Sequence, residues 1–583
     1  MSDASAPLYT LGINAAFHDS AACLVRDGVV VAAAEEERFT HVKHAKRPVP
    51  FSAWELPYHA IDYCLAEAGI TLAEVDHVAY SYDPGLELGD GTERPAVVLP
   101  MEPSAQPAVK GASPWYPLFL SYVVNAPRQL AGGAPHHLRA RFRGVTPEGP
   151  FRWHFVEHHL AHEASAFLAA PFERCAVLTM DGRGETATSS YGVFDGSGYR
   201  RIGQTDLPHS LGLLYERVTT HLGFLHSSDE YKVMALASYG KPSYREAMRE
   251  LLRYRGDGVY ETRETDLSAL LGPARERGAP FEARHYDIAH SLQAALEEIV
   301  LEMVDWLARE TGETRLAMAG GVALNCVMNA RIRDRGRFED VWVQPAAGDA
   351  GTALGAALWT DFRERGARGP WRMDHAYLGP AFDDEAVRAF LDEAKLRYRR
   401  LDDVAGETAR RLAAGQVIGW FQGRMEFGPR ALGARSILAS PLDAGMQQTL
   451  NRIKDREDFR PVAPVVLEEH AHEWFEGGRQ ARLRAPFMLF VYDVPDARAA
   501  RIPAVRHVDG TARVQTVAAD QHPLLHALLS AFHAETGVPV LINTSFNTRG
   551  EPIVCTPRDA VECFWTSPLD ALVIGSYLLE KRP

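Results

Sequence analysis

The sequence predicts an α/β (α+β) chain of two domains, the first of them internally duplicated. Three observations carry this expectation. Residues 8–37, LYTLGINAAFHDSAACLVRDGVVVAAAEEE, read as strand, turn, strand, strand, with Asp27-Gly28 as the hairpin signal between two apolar runs. Residues 175–198, CAVLTMDGRGETATSSYGVFDGSG, repeat the pattern with a second hairpin at Asp195-Gly196. Pro, Gly and mixed polarity in RGPWRMDHAYLGPAF, residues 368–382, mark a boundary, giving domains 1–368 and 369–583.

Each meander opens on a polar turn at a strand end: His18, Asp19 and Ser20 in the first, Asp181, Gly182 and Arg183 in the second. A duplicated core holding a nucleotide in its cleft is the architecture of the actin, sugar-kinase and heat-shock ATPase (ASKHA) group. A chain of 583 residues with 46% hydrophobic content is large enough for more than one core. Net charge is −14, from 62 basic and 76 acidic residues, which argues against nonspecific nucleic-acid or anionic-membrane binding. The six cysteines are scattered with no CxxC pair and read as reduced core thiols of a cytoplasmic protein. No signal peptide is evident at MSDASAPLYTLGI, and no apolar run reaches the roughly 18–20 residues of a membrane span.

Between the meanders, EEERFTHVKHAKRPVP (35–50) gathers Arg38, Lys43, Lys46 and Arg47, a charge run with room for an anion contact. Residues 83–150 are rich in Pro and Gly, carry Trp115, Tyr116, Phe119 and Tyr122, and read as an insertion that covers a substrate cleft rather than as core. The next stretch is the most informative. His158 and His162 stand four apart in an Ala- and Leu-rich helical segment, so both rings share one face, roughly 5–6 Å apart. Asp181 follows at the tip of the strand CAVLTM. Alone, an HxxxH pair reads more often as structural; the strand-tip carboxylate turns it into a mixed N/O site for a divalent transition metal.

Downstream, HSLGLLYERVTTHLGF and DEYKVMALASYG are helical. RLAMAGGVALNCVMNARI reads strand, Gly320-Gly321 turn, helix, the helix start offering N–H groups to an anion or ribose-phosphate. In VWVQPAAGDAGTALGAALW, Asp349 again follows a strand end and is the candidate fourth metal ligand. The C-terminal domain opens with helices at 384–395 and around 403–414. Then QVIGWFQGRMEFGPRALGARSILASP places Arg424, Arg430 and Arg435 in a Gly-rich strand–turn–helix, guanidinium forks suited to phosphate or carboxylate oxygens. Lys454, Arg456 and Arg460 follow, and GVPVLINTSFNTRGEPIV ends a strand in Asn543, Thr544, Ser545 and Asn547, side chains that can donate to phosphate or a planar amide.

Together with FGPRALGARS, the motifs INAAFHDSAA, EEERF, EHHLAH, MDGRGE, AGGVALN, QPAAGDAGTALGAA, FRPVAP and NTSFN run in order along the chain. On these motifs it resembles the O-carbamoyltransferase (NodU/CmcH/TobZ) family, over nearly its whole length apart from 83–150. The resemblance implies an actin-like N-terminal domain, similar to the metal-binding domain of threonylcarbamoyl-adenosine synthesis enzymes, and a YrdC-like C-terminal domain. It implies that carbamoyl phosphate and ATP, with Mg2+, give carbamoyl adenylate in the second domain, releasing phosphate and pyrophosphate. The first domain then passes the carbamoyl group to a hydroxyl of a sugar or natural product, as in antibiotic biosynthesis, releasing AMP. Iron(II) is implied on His158, His162, Asp181 and Asp349, the set already reached from spacing.

By the same resemblance His18 is the general base for the acceptor hydroxyl and Lys43 adds an anion contact, whereas on its own His18 reads as a turn histidine capping backbone groups. Gly320, Gly321 and Asn325 are implied to hold adenosine, and Arg430, Arg435, Lys454, Arg460, Arg513, Asn543 and Ser545 to bind carbamoyl phosphate and ATP, with Arg435 catalytic. In EYKVMALA the chain departs from relatives that carry Gly before Leu-Ala, which bears on a nucleotide contact by Lys232. A tRNA threonylcarbamoyl transferase would need a basic RNA surface, which a charge of −14 does not supply. A nonenzymatic actin-like ATPase module would explain the meanders and leave the arginine motif without a role. The expected partner is a small-molecule hydroxyl acceptor, with no nucleic acid and no membrane; a homodimer is compatible with the resemblance.

Overall fold

In a computed structural model of the chain, residues 6–45, 56–88, 116–132, 151–479, 483–548 and 550–581 are described. Contacts divide it into two units. The first joins Met1–Leu207, Ala317–Val322 and Trp342–Met373; the second joins Pro208–Leu316, Ala323–Val341 and Asp374–Pro583. The expected division at 368/369 thus differs from the observed one in a specific way. The 29-residue helix Ala283–Thr311 packs on the helices Glu230–Ala237 and Cys326–Arg335, so this middle stretch groups with the C-terminal chain. No change of composition announces that crossing.

The first unit is built as two copies of one topology. Strands β1 (Tyr9–Asn14), β2 (Ala21–Arg26), β3 (Val29–Glu35), β4 (His77–Tyr80) and β5 (Arg152–Phe155) lie in the order β3-β2-β1-β4-β5. The first three form an antiparallel meander, while β4 runs parallel to β1 and β5 parallel to β4. Strands β6 (Cys175–Met180), β7 (Ala187–Phe194) and β8 (Tyr199–Asp206) repeat the meander. After a separate pair, β9 (Leu252–Gly256) and β10 (Val259–Thr262), come β11 (Arg315–Ala319) and β12 (Asp340–Val343), completing the order β12-β11-β6-β7-β8. The duplication expected from the two meanders is the observed arrangement. Asp27 and Gly28 turn the first hairpin with φ of 51° and 78°, the double positive φ that an Asp-Gly pair tolerates.

Two small-residue helices bring the ligand-bearing segments together. His158–Phe167 is buried on almost every side, and Ala350–Arg365 packs against it. At Gly355 a Cβ would stand 1.8 Å from the Ala161 carbonyl oxygen, so only glycine allows this approach. Part of the stretch expected as insertion is core. Residues Tyr116–Gly132 form a helix whose Phe119, Val123, Ala126 and Leu130 repeat at helical spacing and are buried with the first sheet. Phe119 stacks on Phe17 at 5.6 Å and meets Tyr82 edge-on at 5.2 Å, so it is not a lid residue. Lys46, Arg47, Trp115 and the rest of that stretch (89–115 and 133–150) lie outside the described residues.

In the second unit β13 (Arg399–Arg400), β14 (Ile418–Phe421), β15 (Arg435–Ala439), β16 (Ala463–Leu467), the separate pair β17 (Val491–Asp493) and β18 (Thr511–Arg513), β19 (Gln515–Val517), β20 (Val540–Ser545), β21 (Ala571–Ile574) and β22 (Tyr577–Glu580) follow in order. Eight of them make a mixed sheet, β13-β22-β21-β14-β15-β20-β16-β19, over one apolar core. FGPRALGARS was expected to lead into a helix. It is instead the loop between antiparallel β14 and β15, because RSILA is an apolar run buried on both faces. All six cysteines are buried and none forms a disulfide. Among the described residues no helix is long and apolar enough to cross a membrane.

Candidate functional site

The helix His158–Phe167 points two of its three histidines at the strand-end carboxylates. His158 Nε2 lies 3.8 Å from Asp181 and 3.6 Å from Asp349, and His162 Nε2 lies 3.6 Å from Asp349. One ligand atom from each of the four falls within 4.8 Å of the others, and all four residues are buried. The third histidine, His159, turns away to Thr179 and Ser190. His158 Nδ1 faces the Ser81 carbonyl at 3.2 Å; a carbonyl only accepts, so Nδ1 carries the proton and Nε2 keeps its lone pair for an ion. The Gly321 N–H donates to Asp181 Oδ1 at 2.7 Å and orients that ligand in the same way.

The donor set leaves buried polar atoms unsatisfied. His158 Nε2, both ring nitrogens of His162 and both Asp349 oxygens are buried without a hydrogen-bond partner. Orphaned polar atoms are costly in a dry interior, and one cation would satisfy His158 Nε2, one His162 nitrogen and an Asp349 oxygen together. Burial would raise Asp349, yet His18 and His158 hold its carboxyl down at about 2. Burial would raise Asp181 too, and His158 and His162 hold it well below the usual range. Two imidazoles and two carboxylates therefore fit a divalent transition metal.

His18 stands beside this centre, Nδ1 2.9 Å from Asp19 and 3.7 Å from Asp349. Phe17 and Asp19, its neighbours, take φ of 54° and 51°, left-handed values that non-glycine residues adopt at a cost, commonly at functional sites. Asp19 also contacts His44 Nδ1 at 2.9 Å; burial would raise its carboxyl, but His44 and His18 hold it well below the usual range. Lys43 sits half-buried in the Lys43–Ala45 turn on the same segment. Gly320 takes φ of 91° where a Cβ would stand 2.1 Å from the Met180 carbonyl oxygen, so the glycine pair is spent on bringing β11 against the end of β6. Sequence reasoning missed two supporting carboxylates. Asp19 is one, although it adjoins His18. The other is Glu185, pushed up to about 7 by burial, which accepts the His158 N–H at 3.0 Å and the Asp83 N–H at 2.6 Å. Its only signal was its place in MDGRGE.

In the second unit Arg430, Arg456, Arg460 and Arg513 gather with Tyr231 and Cys326. Burial, then Arg513, push the Arg430 guanidinium down to about 9; burial, then Arg460, do the same to Arg456. Arg430 Nε, Arg456 Nη2 and Arg513 Nε are buried without a hydrogen-bond partner. Glu457 stands 3.8 Å from Arg460 but is already paired with Lys232 at 2.9 Å, so the cluster carries excess positive charge. Unsatisfied guanidinium donors with so little counter-charge suit an anion.

Five other expected residues have protein partners. Arg435 is the correction: fully buried, it donates to the carbonyls of Gln422, Gly423, Ala434, Cys555 and Pro380 and stacks 3.7 Å over Phe421. Its fork braces the loop rather than facing a ligand. Lys454 donates to Ser545 and Asn547, which ties Ser545 to the same internal clamp. The Asn543 amide donates to Ala431 and Gln515 while its Oδ1 stays buried and unpartnered. Asn325 caps the Cys326–Arg335 helix and exchanges hydrogen bonds with Gln293.

A family model described as carbamoyltransferase N-terminus matches residues 9–87 and 150–358, and one described as carbamoyltransferase C-terminus matches 409–581. The gap in the first match falls on the stretch expected as an insertion. An uncharacterized protein of Synechocystis sp. is 40% identical over 98% of this chain and 97% of its own length. Nodulation protein NolNO of Sinorhizobium fredii is 42% identical over 98% of this chain and 80% of its own. The 3'-hydroxymethylcephem-O-carbamoyltransferase of Streptomyces clavuligerus is 35% identical over 59% and 64%. Among solved structures, HypF of T. kodakarensis covers 62% of this chain and 48% of that one at 15% identity; its TM-score of 0.33 is too low to bear on fold or function. With both halves matched and relatives near 40% identity along almost the whole length, the chain belongs to the carbamoyltransferase family and is an enzyme.

Proposed function

We propose that this carbamoyltransferase is ATP-dependent and O-specific. Carbamoyl phosphate and water give carbamate and phosphate; carbamate attacks the α-phosphorus of ATP, forming carbamoyl adenylate and expelling pyrophosphate. An acceptor hydroxyl then attacks the carbamoyl carbon, giving the O-carbamate and AMP. The observation that carries the reading is the coexistence of two kinds of site: buried arginine donors with little counter-charge, and an N2O2 centre beside a strained histidine turn. Arg430, Arg456, Arg460 and Arg513 would hold the phosphates and neutralise charge that develops on the departing pyrophosphate. Mg2+ accompanies the ATP.

Iron(II) on His158, His162, Asp181 and Asp349 would supply Lewis-acid polarisation and a template for the adenylate. His18 would take the proton of the acceptor hydroxyl at Nε2 while Asp19, 2.9 Å from Nδ1, holds the ring and stabilises the imidazolium that forms. Lys43, in the turn that also carries His44, would add positive charge. The name of the hydroxymethylcephem relative supports a natural-product hydroxyl as acceptor, with a sugar hydroxyl the other candidate, and a need for ATP and carbamoyl phosphate supports work in the cytoplasm.

Pyrophosphate and carbamoylated product, followed in parallel on the iron(II)-loaded protein with a panel of sugar and hydroxymethylcephem acceptors, test the reading. Pyrophosphate release from ATP is expected to require carbamoyl phosphate. In His18→Asn it is expected to persist while product falls by about two to four decades, the usual contribution of a positioned base. Pyrophosphate release that ignores carbamoyl phosphate would overturn the adenylate; equal loss of both signals would remove His18 from the transfer step.

A further inference from the structure

We propose that His77, His154 and Glu364 form a second binding site, for a divalent transition-metal ion of the Zn2+ type, separate from the His158 centre. His77 lies in β4, opposite Arg152 of β5, and His154 lies two residues further along β5. With a period of two, both imidazoles emerge on one face of the sheet. Their nitrogens, His77 Nδ1 and His154 Nε2, are 2.9 Å apart. Glu364, in the last turn of the Ala350–Arg365 helix, brings its carboxylate within 3.8 Å of His77 Nε2. One ligand atom of each residue lies within 4.8 Å of those of the other two.

A proton shared between the rings would explain the 2.9 Å contact alone. It leaves Glu364 too far away for a direct hydrogen bond, and it leaves a histidine buried in the four-residue strand HVAY without a reason. A single ion at 2.0–2.2 Å would take one nitrogen of each ring and one Glu364 oxygen, atoms that lie within 4.8 Å of one another, with side-chain rotation closing them around it. His77 is buried, His154 half-buried and Glu364 31% exposed, so the site has a dry floor and an open side where water completes the coordination. Arg152, 3.8 Å from Glu364, competes for its carboxylate and is 75% exposed. Burial, then His77, lower His154, which keeps that imidazole neutral as a ligand must be.

The two centres lie at opposite ends of shared elements. Asp349 precedes the helix that ends near Glu364, about 22 Å along its axis at 1.5 Å per residue. Ser81, whose carbonyl orients His158, lies about 13 Å along β4 from His77 at the usual strand rise. An ion here would clamp β4, β5 and the helix that carries Asp349, a structural role independent of carbamoyl transfer.

The test is a Zn2+ titration of the chelator-stripped full-length protein against a chromogenic chelator, beside His154→Ala and Glu364→Gln. The parent is expected to bind two equivalents and His154→Ala one; Glu364→Gln is expected to weaken one of the two sites at least tenfold. Zn2+ should also raise the parent's melting temperature more than that of either variant. Glu364→Gln keeps the side-chain volume at a partly exposed position, so a folding failure of His154→Ala would still leave an answer. Two equivalents in His154→Ala, parent-like affinity at both sites in Glu364→Gln, or one equivalent in the parent would overturn the site.

Discussion

Replacing Arg430 by Met should stabilise the ligand-free protein and abolish its response to pyrophosphate. The magnitude follows from the cost of holding charge in the arginine cluster. Burial and Arg513 push the guanidinium down to about 9, so holding the charge there costs on the order of a few kcal/mol. Arg430 is half-buried, and solvent screening reduces this to about 1–2 kcal/mol. Arginine does not give up its proton at neutral pH, so the cost stands as strain until an anion relieves it. Met keeps the apolar stem and removes the strain. The variant should therefore melt a few degrees above the parent, at roughly 2–4 °C per kcal/mol. In the parent, pyrophosphate at a hundredfold its dissociation constant should add about 2.7 kcal/mol, and the variant should lose most of that gain. Differential scanning fluorimetry with and without pyrophosphate reads both. Arg411, ion-paired with Glu407 and Glu580, is the control, since Arg411→Met removes favourable pairs and should not stabilise. An Arg430→Met protein that melts lower yet keeps the pyrophosphate shift would refute the reasoning and make Arg430 a structural residue.

His162→Ala and Asp349→Ala should each lose bound iron on reconstitution while staying folded, as read by metal analysis and circular dichroism; full occupancy would strike that residue from the ligand set. Arg435→Lys should cost about 3 kcal/mol or more, because one ammonium cannot satisfy the carbonyls that the guanidinium spans. Urea unfolding measures it, and unchanged stability with selective loss of pyrophosphate release would return Arg435 to ligand binding. Gly355→Val should lower metal affinity though it touches no ligand, because a Cβ 1.8 Å from the Ala161 carbonyl must push apart the helices bearing Asp349 and His162. Parent-like iron affinity in that variant would show that helix spacing does not set the centre.

What was legible in the sequence was local in character. HxxxH spacing, an Asp at each of two strand ends and two Asp-Gly hairpins are set by periods of 3.6 and 2 and by turn chemistry, and the four metal ligands do converge. What was not legible depended on where a side chain's partners come from. Arg435 and Arg430 stand five apart in FGPRALGARS and look equivalent there. Arg435 falls on an inward position of β15, where five carbonyls from distant segments meet it, whereas Arg430 stays in the loop among other arginines. Phe119 carried the same ambiguity, because an aromatic on a helix can face a cleft or a core, and only the neighbouring Phe17 and Tyr82 decide.

The duplication explains why the centre lies where it does. Equivalent strands of the two halves each end at it: β1 leads into the His18 turn and β6 into Asp181, while β4 ends before Ser81 and β11 before Gly320-Gly321. The first pair carries His18 and Asp181, and the second pair carries groups that contact the centre, the Ser81 carbonyl facing His158 Nδ1 and the Gly321 N–H donating to Asp181. Neither half is sufficient, since the imidazoles come from the segment that links them and Asp349 from the segment after the second. A site at the ends of matching strands in two rigid sheets is held by backbone on every side, which keeps four ligand atoms within 4.8 Å of one another without a loop to position any of the histidines.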